Sequence, residues 1–154
     1  MRIAVIIGIL LLLSSSIFAQ DVSKGWEVGV NYPGLGVKYR MDEKNVVEMK
    51  TQFGEDNFVI GPMYSHSFNT KNKAILLAGG GADCLIFKGD SSKDSGWVIR
   101  TFVGSEYFVQ PNLIISSDIN TAFIYLKNKD TSLDENRIDF VLNLGLTHYF
   151  GGGK

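Results

Sequence analysis

Two histidines, a pair of carboxylates and a glycine triplet are the residues of this chain best suited to chemistry. His66 sits in YSHSF between Ser65 and Ser67, and His148 sits in LTHYF. A serine nucleophile needs a base within hydrogen-bond reach. In an extended strand, neighbours at i±1 point to opposite faces, so Ser65 and Ser67 turn away from His66. The same-face neighbours are Tyr64 and Phe68 for His66, and Leu146 and Phe150 for His148. Neither segment carries a Ser–His pair on one face, which leaves only a pair formed across strands. An amphipathic position at an interface suits both histidines better. Glu106 and Asp118 have the chemistry of a general acid and base, but ion pairs with Arg100 and Arg137 explain them without a reaction. Gly79-Gly80-Gly81 lacks the Lys-Ser/Thr of a phosphate-cradling loop. No cluster has metal-ligand spacing, so no catalytic residue, metal or cofactor is expected.

These residues sit on segments of one kind. After Gly25 no stretch has the 3.6-residue period of an amphipathic helix; period two dominates. It runs through 26–32, 35–41, 46–53, 58–68, 74–87, 97–108, 113–126 and 137–150. Turn-forming segments separate the runs: Pro33-Gly34, DEKN at 42–45, GEDN at 54–57, NTKNK at 69–73, KGDSSKDSG at 88–96, QPN at 110–112 and KNKDTSLDEN at 127–136. The pattern predicts eight antiparallel strands joined up and down by hairpins. Pro62 is the weak point, because proline is costly inside a paired strand. The glycine triplet falls mid-strand, where it allows sharp coiling of a small barrel.

The charges separate by face. One face presents residues such as Trp26, Val28, Tyr39, Met49, Ile99, Cys84, Phe140 and Phe150, and no Asp, Glu, Lys or Arg falls on it. The other collects Glu27, Lys38, Arg40, Glu48, Lys50, Asp83, Arg100, Glu106, Asp118, Arg137 and Asp139. Ile75, Leu77, Leu85, Phe102 and Ile114 also fall on the charged face; they read as apolar packing among the charges, unless a local bulge turns some of them outward. A soluble barrel would turn the greasy face inward, whereas a transmembrane barrel turns it toward lipid and keeps a polar interior. Aromatic residues gathered near strand ends, strand lengths near the ~9–11 residues that cross a bilayer at a tilt, and the balance of acidic and basic lumen residues favour the membrane barrel. A one-residue slip would set five Lys/Arg against hydrocarbon at roughly 2–4 kcal/mol each near the midplane.

The remaining composition agrees. Met1 to Ala19 reads as a secretory signal: Arg2, then an apolar run from Ile3 to Leu13, then small residues to a cleavage site after Ala19. Removing residues 1–19 from 154 leaves 135 residues; losing Arg2 from 15 basic residues leaves 14 against 16 acidic ones, a net charge of −2. That balance, without a basic cluster, excludes nucleic acid as a partner. The single cysteine, Cys84, excludes an internal disulfide and reads as a small lipid-facing hydrophobe. The expected organisation is a signal peptide at 1–19, one barrel at 20–150 and a short tail at 151–154.

Asn143, Gly145, His148 and Phe150 follow the spacing polar–x–Gly–x–x–hydrophobic–x–aromatic in the last strand. This resembles the C-terminal assembly signal of outer-membrane barrel proteins, which the barrel-assembly machinery reads. His148 stands where the family usually has a larger hydrophobic or aromatic residue, and Gly151–Lys154 follow Phe150. With the signal peptide and eight strands, the mature chain resembles a small outer-membrane β-barrel of the opacity-protein and OmpA-barrel kind. The resemblance implies a closed barrel in the outer membrane, with outer-membrane lipid and the assembly machinery as partners. A non-enzymatic envelope-structural or surface-interaction role, presented through loops 88–96 and 127–136, is then expected. The charged lumen is expected to be a solid network of ion pairs, since eight strands enclose only enough room for side chains; a proton or ion path is the alternative, and an open porin needs about twice as many strands. Two rival readings are a secreted or periplasmic lipocalin-like barrel holding an apolar ligand inside the greasy face, and an outer-membrane lipid-modifying enzyme.

Overall fold

Eight antiparallel strands close into one up-and-down barrel in a computed structural model describing residues 24–68, 74–88, 93–127 and 134–151. The strands are β1 (Gly25–Tyr32), β2 (Gly34–Arg40), β3 (Asn45–Phe53), β4 (Asn57–Ser67), β5 (Ala74–Lys88), β6 (Lys93–Gln110), β7 (Leu113–Lys127) and β8 (Asp134–Gly151). β8 pairs with β1 to seal the cylinder, with Trp26 opposite Phe150. The signal segment 1–19, the tail after Gly151 and the centres of loops 88–96 and 127–136 lie outside the described residues.

The strand stagger follows from the register. From Gly145, cross-strand partners lead through Asn31, Gly34, Gln52, Val59, Leu85, Gly96 and Leu126 to Glu135. The circuit returns to β8 ten residues from its start, the difference between 145 and 135. With neighbouring strands ~4.8 Å apart, that stagger tilts them by about 40° to the axis.

The period-two segments take the phase expected of them. Along β2 the burial alternates strictly, with Gly34, Gly36, Lys38 and Arg40 buried and Leu35, Val37 and Tyr39 exposed. Glu27 and Arg40 are 0% exposed, while Phe140 is 77% and Ile99 62% exposed. The greasy face therefore points out and the charged face points in, which overturns the lipocalin-like alternative with its apolar interior. Of the apolar residues on the charged face, Ile75, Leu85, Phe102 and Ile114 are buried inside and Leu77 is half-buried. The register irregularity lies elsewhere, between Phe108 and Gln110.

Two features of β4 and β5 explain how the wall tolerates its breakers. Pro62 sits on the outward face opposite Met49; toward β5 the pairing lapses at Gly61 and Pro62, then resumes in unchanged register. A side chain at Gly79 would strike the Tyr64 carbonyl and the Phe102 ring, and one at Gly81 the Pro62 carbonyl and Met63. The missing side chain at Gly79 leaves room for the inward Phe102 ring against β5.

The wall is uneven in height. β1 to β4 have 8, 7, 9 and 11 residues, whereas β5 to β8 have 15, 18, 15 and 18. The alternating segments of the sequence already lengthen in this order, and the ladder carries the difference further. The pairing of β5 with β6 continues to Lys88 opposite Lys93, and that of β7 with β8 to Lys127 opposite Asp134. The ladder thus takes up both ends of the expected loops 88–96 and 127–136. The ladder is a backbone contract, and polar residues such as Asp134, Glu135 and Asn136 extend it without any alternation in hydropathy.

Candidate functional site

The lumen is filled in tiers. At the end nearest both termini, Glu106 of β6 accepts from Lys38 Nζ at 2.8 Å and from Arg40 Nη2 at 2.9 Å. Arg40 also donates from Nε to Glu27 at 2.9 Å. Two cations thus meet two carboxylates, all buried. The residues come from β1, β2 and β6; β2 and β6 stand diametrically opposite in an eight-strand ring, so these bonds cross the lumen and close it.

The middle tier mixes charge with amides. Arg100 donates to Asp83 through Nε at 2.6 Å and also contacts it through Nη2. Asn143 donates to Asp118 at 2.7 Å and accepts from Gln52 at 3.2 Å, and Asn120 also donates to Asp118. Asn31 donates to Glu48 at 3.2 Å. Lys50 is buried near Glu48, Asp118 and Arg100, without a direct ion pair among the described residues. At the far mouth Arg137 pairs with Asp139, and Arg137 is two-thirds exposed.

All eleven charged residues singled out in the sequence therefore face inward or line the mouth, but their pairing differs from expectation. Glu106 pairs with Lys38 and Arg40, not Arg100; Asp118 binds amides, not Arg137. The spacing explains both. Arg100 lies six positions from Glu106 on the same strand, roughly 20 Å along it. Arg137 stands opposite Ile124, six positions from Asp118. The amides Asn31, Gln52, Asn120 and Asn143 are components that the charge pattern missed; their inward phase in alternating segments was the available signal.

Above the middle tier lies a cavity of about 270 Å³ with a different character. Apolar residues such as Val59, Leu85, Val98 and Ile124 line it together with the polar Gln52, Asn57, Arg100, Asn120, Arg137, Asp139 and Asn143. Its residues come from β3 to β8; β1 and β2 contribute none.

Neither histidine has a serine partner among the described residues. His66 Nδ1 lies 3.0 Å from Asn45 Oδ1, which also accepts from the Tyr64 hydroxyl at 2.6 Å. His148 follows the outward phase between Val28 and Leu113 but is buried, with Nε2 3.2 Å from Asn112 Nδ2 and its ring 4.4 Å from Phe150. Cys84 is exposed on the outer face. Among the described residues, no group of three His, Cys, Asp or Glu is placed to hold a metal ion. The four residues of the assembly-signal pattern divide between the faces: Asn143 and Gly145 turn inward, and a side chain at Gly145 would strike Asn31 and Ser116. Phe150 turns outward at the seam with β1.

Two solved structures share this architecture. The N-terminal β-barrel domain of Pseudomonas aeruginosa OprF superposes with a TM-score of 0.60 at 10% identity, covering 82% of this chain and 95% of that one. Neisserial surface protein A superposes with a TM-score of 0.57 at 14% identity, covering 82% and 93%. At these identities the likeness establishes the fold: a closed, eight-stranded, up-and-down antiparallel barrel. No protein-family model matches the sequence, and no curated protein matches it.

Proposed function

We propose that this chain is an integral outer-membrane β-barrel that works without catalysis, as an envelope-structural or surface-interacting protein. The observation that carries the reading is the inverted distribution of polarity. Glu27, Lys38, Arg40, Glu106 and Asp83 are buried, while a belt of large hydrophobic residues from all eight strands is exposed. In water that belt would forfeit tens of kcal/mol at roughly 1.5–3 kcal/mol per side chain; in a bilayer it is solvated by lipid. The outward aromatics support the same placement. Trp26, Tyr39, Phe68, Tyr107 and Phe150 lie toward the end holding the termini, and Phe53, Trp97, Phe123 and Phe140 toward the other, as in interfacial girdles.

The remaining roles follow from that placement. The lumen charges act as a structural plug: lone buried charges would be prohibitively costly, and apart from Lys50 each is ion-paired or hydrogen-bonded to an amide. Asn143, Gly145, His148 and Phe150 serve as the signal read by the barrel-assembly machinery. The β5–β6 and β7–β8 hairpins present a surface partner with loops 88–96 and 127–136, now reduced to their tips. The absence of a Ser–His or carboxylate pair in reacting geometry among the described residues argues against the lipid-modifying reading.

The test is cell fractionation with heat-modifiability: the boiled and unboiled outer-membrane fraction compared on a gel in SDS. A mobility shift in that fraction is expected. Recovery in the soluble periplasm without a shift would overturn the proposal.

A further inference from the structure

The upper cavity has two unlike sides. Val59, Leu85, Val98 and Ile124 form an apolar back wall on β4 to β7. The front is polar, with Gln52 of β3 and Asn57 of β4 on one flank and Arg137, Asp139 and Asn143 of β8 on the other. Between these flanks the barrel wall is low. The pairing of β8 with β1 stops at Leu144, and among the described residues Asp134–Asn143 have no backbone partner on that side. The cavity opens there toward water at Arg137, which is two-thirds exposed. Below it the Arg100–Asp83 pair and the amides form a floor, and the Glu106 network crosses the lumen further down. The space is therefore a pocket with an aqueous mouth, and not a passage.

The floor offers a donor that the protein leaves largely unused. Arg100 is buried and directs Nε and Nη2 to Asp83, whereas Nη1 has only a long contact of 3.5 Å with Gln52. A guanidinium carries five N–H donors, so the Nη1 edge can still donate to an acceptor. The charges around the pocket are already matched, Arg100 by Asp83 and Arg137 by Asp139. A guest with a net charge would lie there without a counter-ion, which a low-dielectric site penalises. A wholly apolar guest would strip water from Nη1 and the amides and return no hydrogen bond. The volume sets the size. At ~30 Å³ per water, a cavity of about 270 Å³ takes on the order of nine water-sized atoms.

We infer that the upper lumen binds a small, uncharged amphipathic molecule that enters from the aqueous mouth. Its apolar body, an aromatic ring or a short branched chain, packs on the back wall, and its carbonyl oxygen accepts from Arg100 Nη1. An apolar wall with a few placed polar groups is the usual construction of a small-molecule pocket. The inference deepens the surface-interaction reading above and rests on it for the side of the membrane from which the ligand comes.

The test is a titration of the methyl-labelled barrel with benzamide, followed by NMR in phosphatidylcholine nanodiscs. Leu85 and Val98 report on the pocket, and Ile99 and Val103 on the exposed outer belt. Benzamide is expected to shift the Leu85 and Val98 methyls to saturation and to leave those of Ile99 and Val103 in place. Benzoate, benzylamine and toluene share its ring but carry a negative charge, a positive charge and no polar group. Each should bind at least about tenfold more weakly, the equivalent of one hydrogen bond to a charged donor. Val98→Phe fills the back wall and should abolish the shift at Leu85, whereas Val103→Phe on the outer face should not. Leu85→Phe, read at Val98, serves if Val98→Phe lacks the heat-dependent mobility of the parent. A charged analogue or toluene binding as tightly as benzamide would overturn the site, as would equal movement of Val103 or no saturable shift at Val98. The membrane reading is tested separately in the same lipid with bromine on its acyl chains, which should quench the outward Trp26 and Trp97. No quenching would overturn that reading, and the benzamide titration would still decide the pocket.

Discussion

Replacing Glu106 with glutamine is the sharpest probe of the lumen. Glu106 takes a hydrogen bond from Lys38 on one oxygen and from Arg40 on the other, and all three side chains are buried. The amide keeps the shape and one acceptor but removes the charge, leaving Lys38 and Arg40 to share Glu27. Breaking a buried ion pair by removing one partner costs about 3–5 kcal/mol, a shift of roughly 100- to 3,000-fold in the unfolding equilibrium at 1.4 kcal/mol per tenfold. The assay is urea unfolding of the reconstituted barrel, followed by loss of the fast-migrating folded band. Glu106→Gln should unfold at markedly lower urea. Arg137→Gln, at the solvated mouth, should move the midpoint by no more than about 1 kcal/mol. Adding Lys38→Met to Glu106→Gln restores a neutral tier and should recover part of the loss. If Glu106→Gln and Arg137→Gln unfold together, or if the double variant is worse than the single, the cross-lumen network does not hold the barrel as argued.

Other outcomes can be read from the same preparations. Gly79→Val drives a side chain into the Tyr64 carbonyl and the Phe102 ring; it should cost at least the 1–3 kcal/mol typical of overpacking, seen as a lower urea midpoint. Phe150→Ala removes the outward aromatic facing Trp26 across the closing seam, so it should lower the yield of heat-modifiable protein in the outer membrane at unchanged synthesis; an unchanged yield would remove Phe150 from the assembly signal. At the β2–β3 turn, the Asn45 side-chain amide and the Lys44 backbone N–H hold the Asp42 carboxyl below its usual range. A depressed folded-state pKa contributes order above the ordinary carboxylate range and loses it as pH falls through the depressed value. Protection of the Lys44 and Asn45 amides, measured against their intrinsic exchange rates, should therefore be steady near neutrality and fall only in acid, and Asp42→Ala should remove that protection at neutral pH.

The sequence made the two faces legible because a membrane barrel allows no compromise: Lys38 and Arg40 inside and Tyr39 outside leave one register. The same rule located the eight strands. Pairing across the lumen was not legible, because Lys38 and Glu106 are 68 positions apart and meet only through a ten-residue stagger that no local pattern encodes. Strand ends failed for another reason. Alternating hydropathy reports the apolar outer belt, whereas the ladder of β7 and β8 runs on through Glu135 and Asn136 past the last alternating residues. The cavity was visible only as apolar residues on the wrong face, such as Leu85, which the sequence offered as packing.

The difference in strand length also sets an order of events. β5 to β8 are stitched to one another along most of 15 to 18 residues, whereas β1 holds β8 only from Gly25 to Tyr32. On the membrane reading, each added residue of ladder brings backbone bonds that must open together in lipid, where unpaired amides cost several kcal/mol. The C-terminal half should therefore exchange slowly, and the N-terminal hairpins should close last and open first.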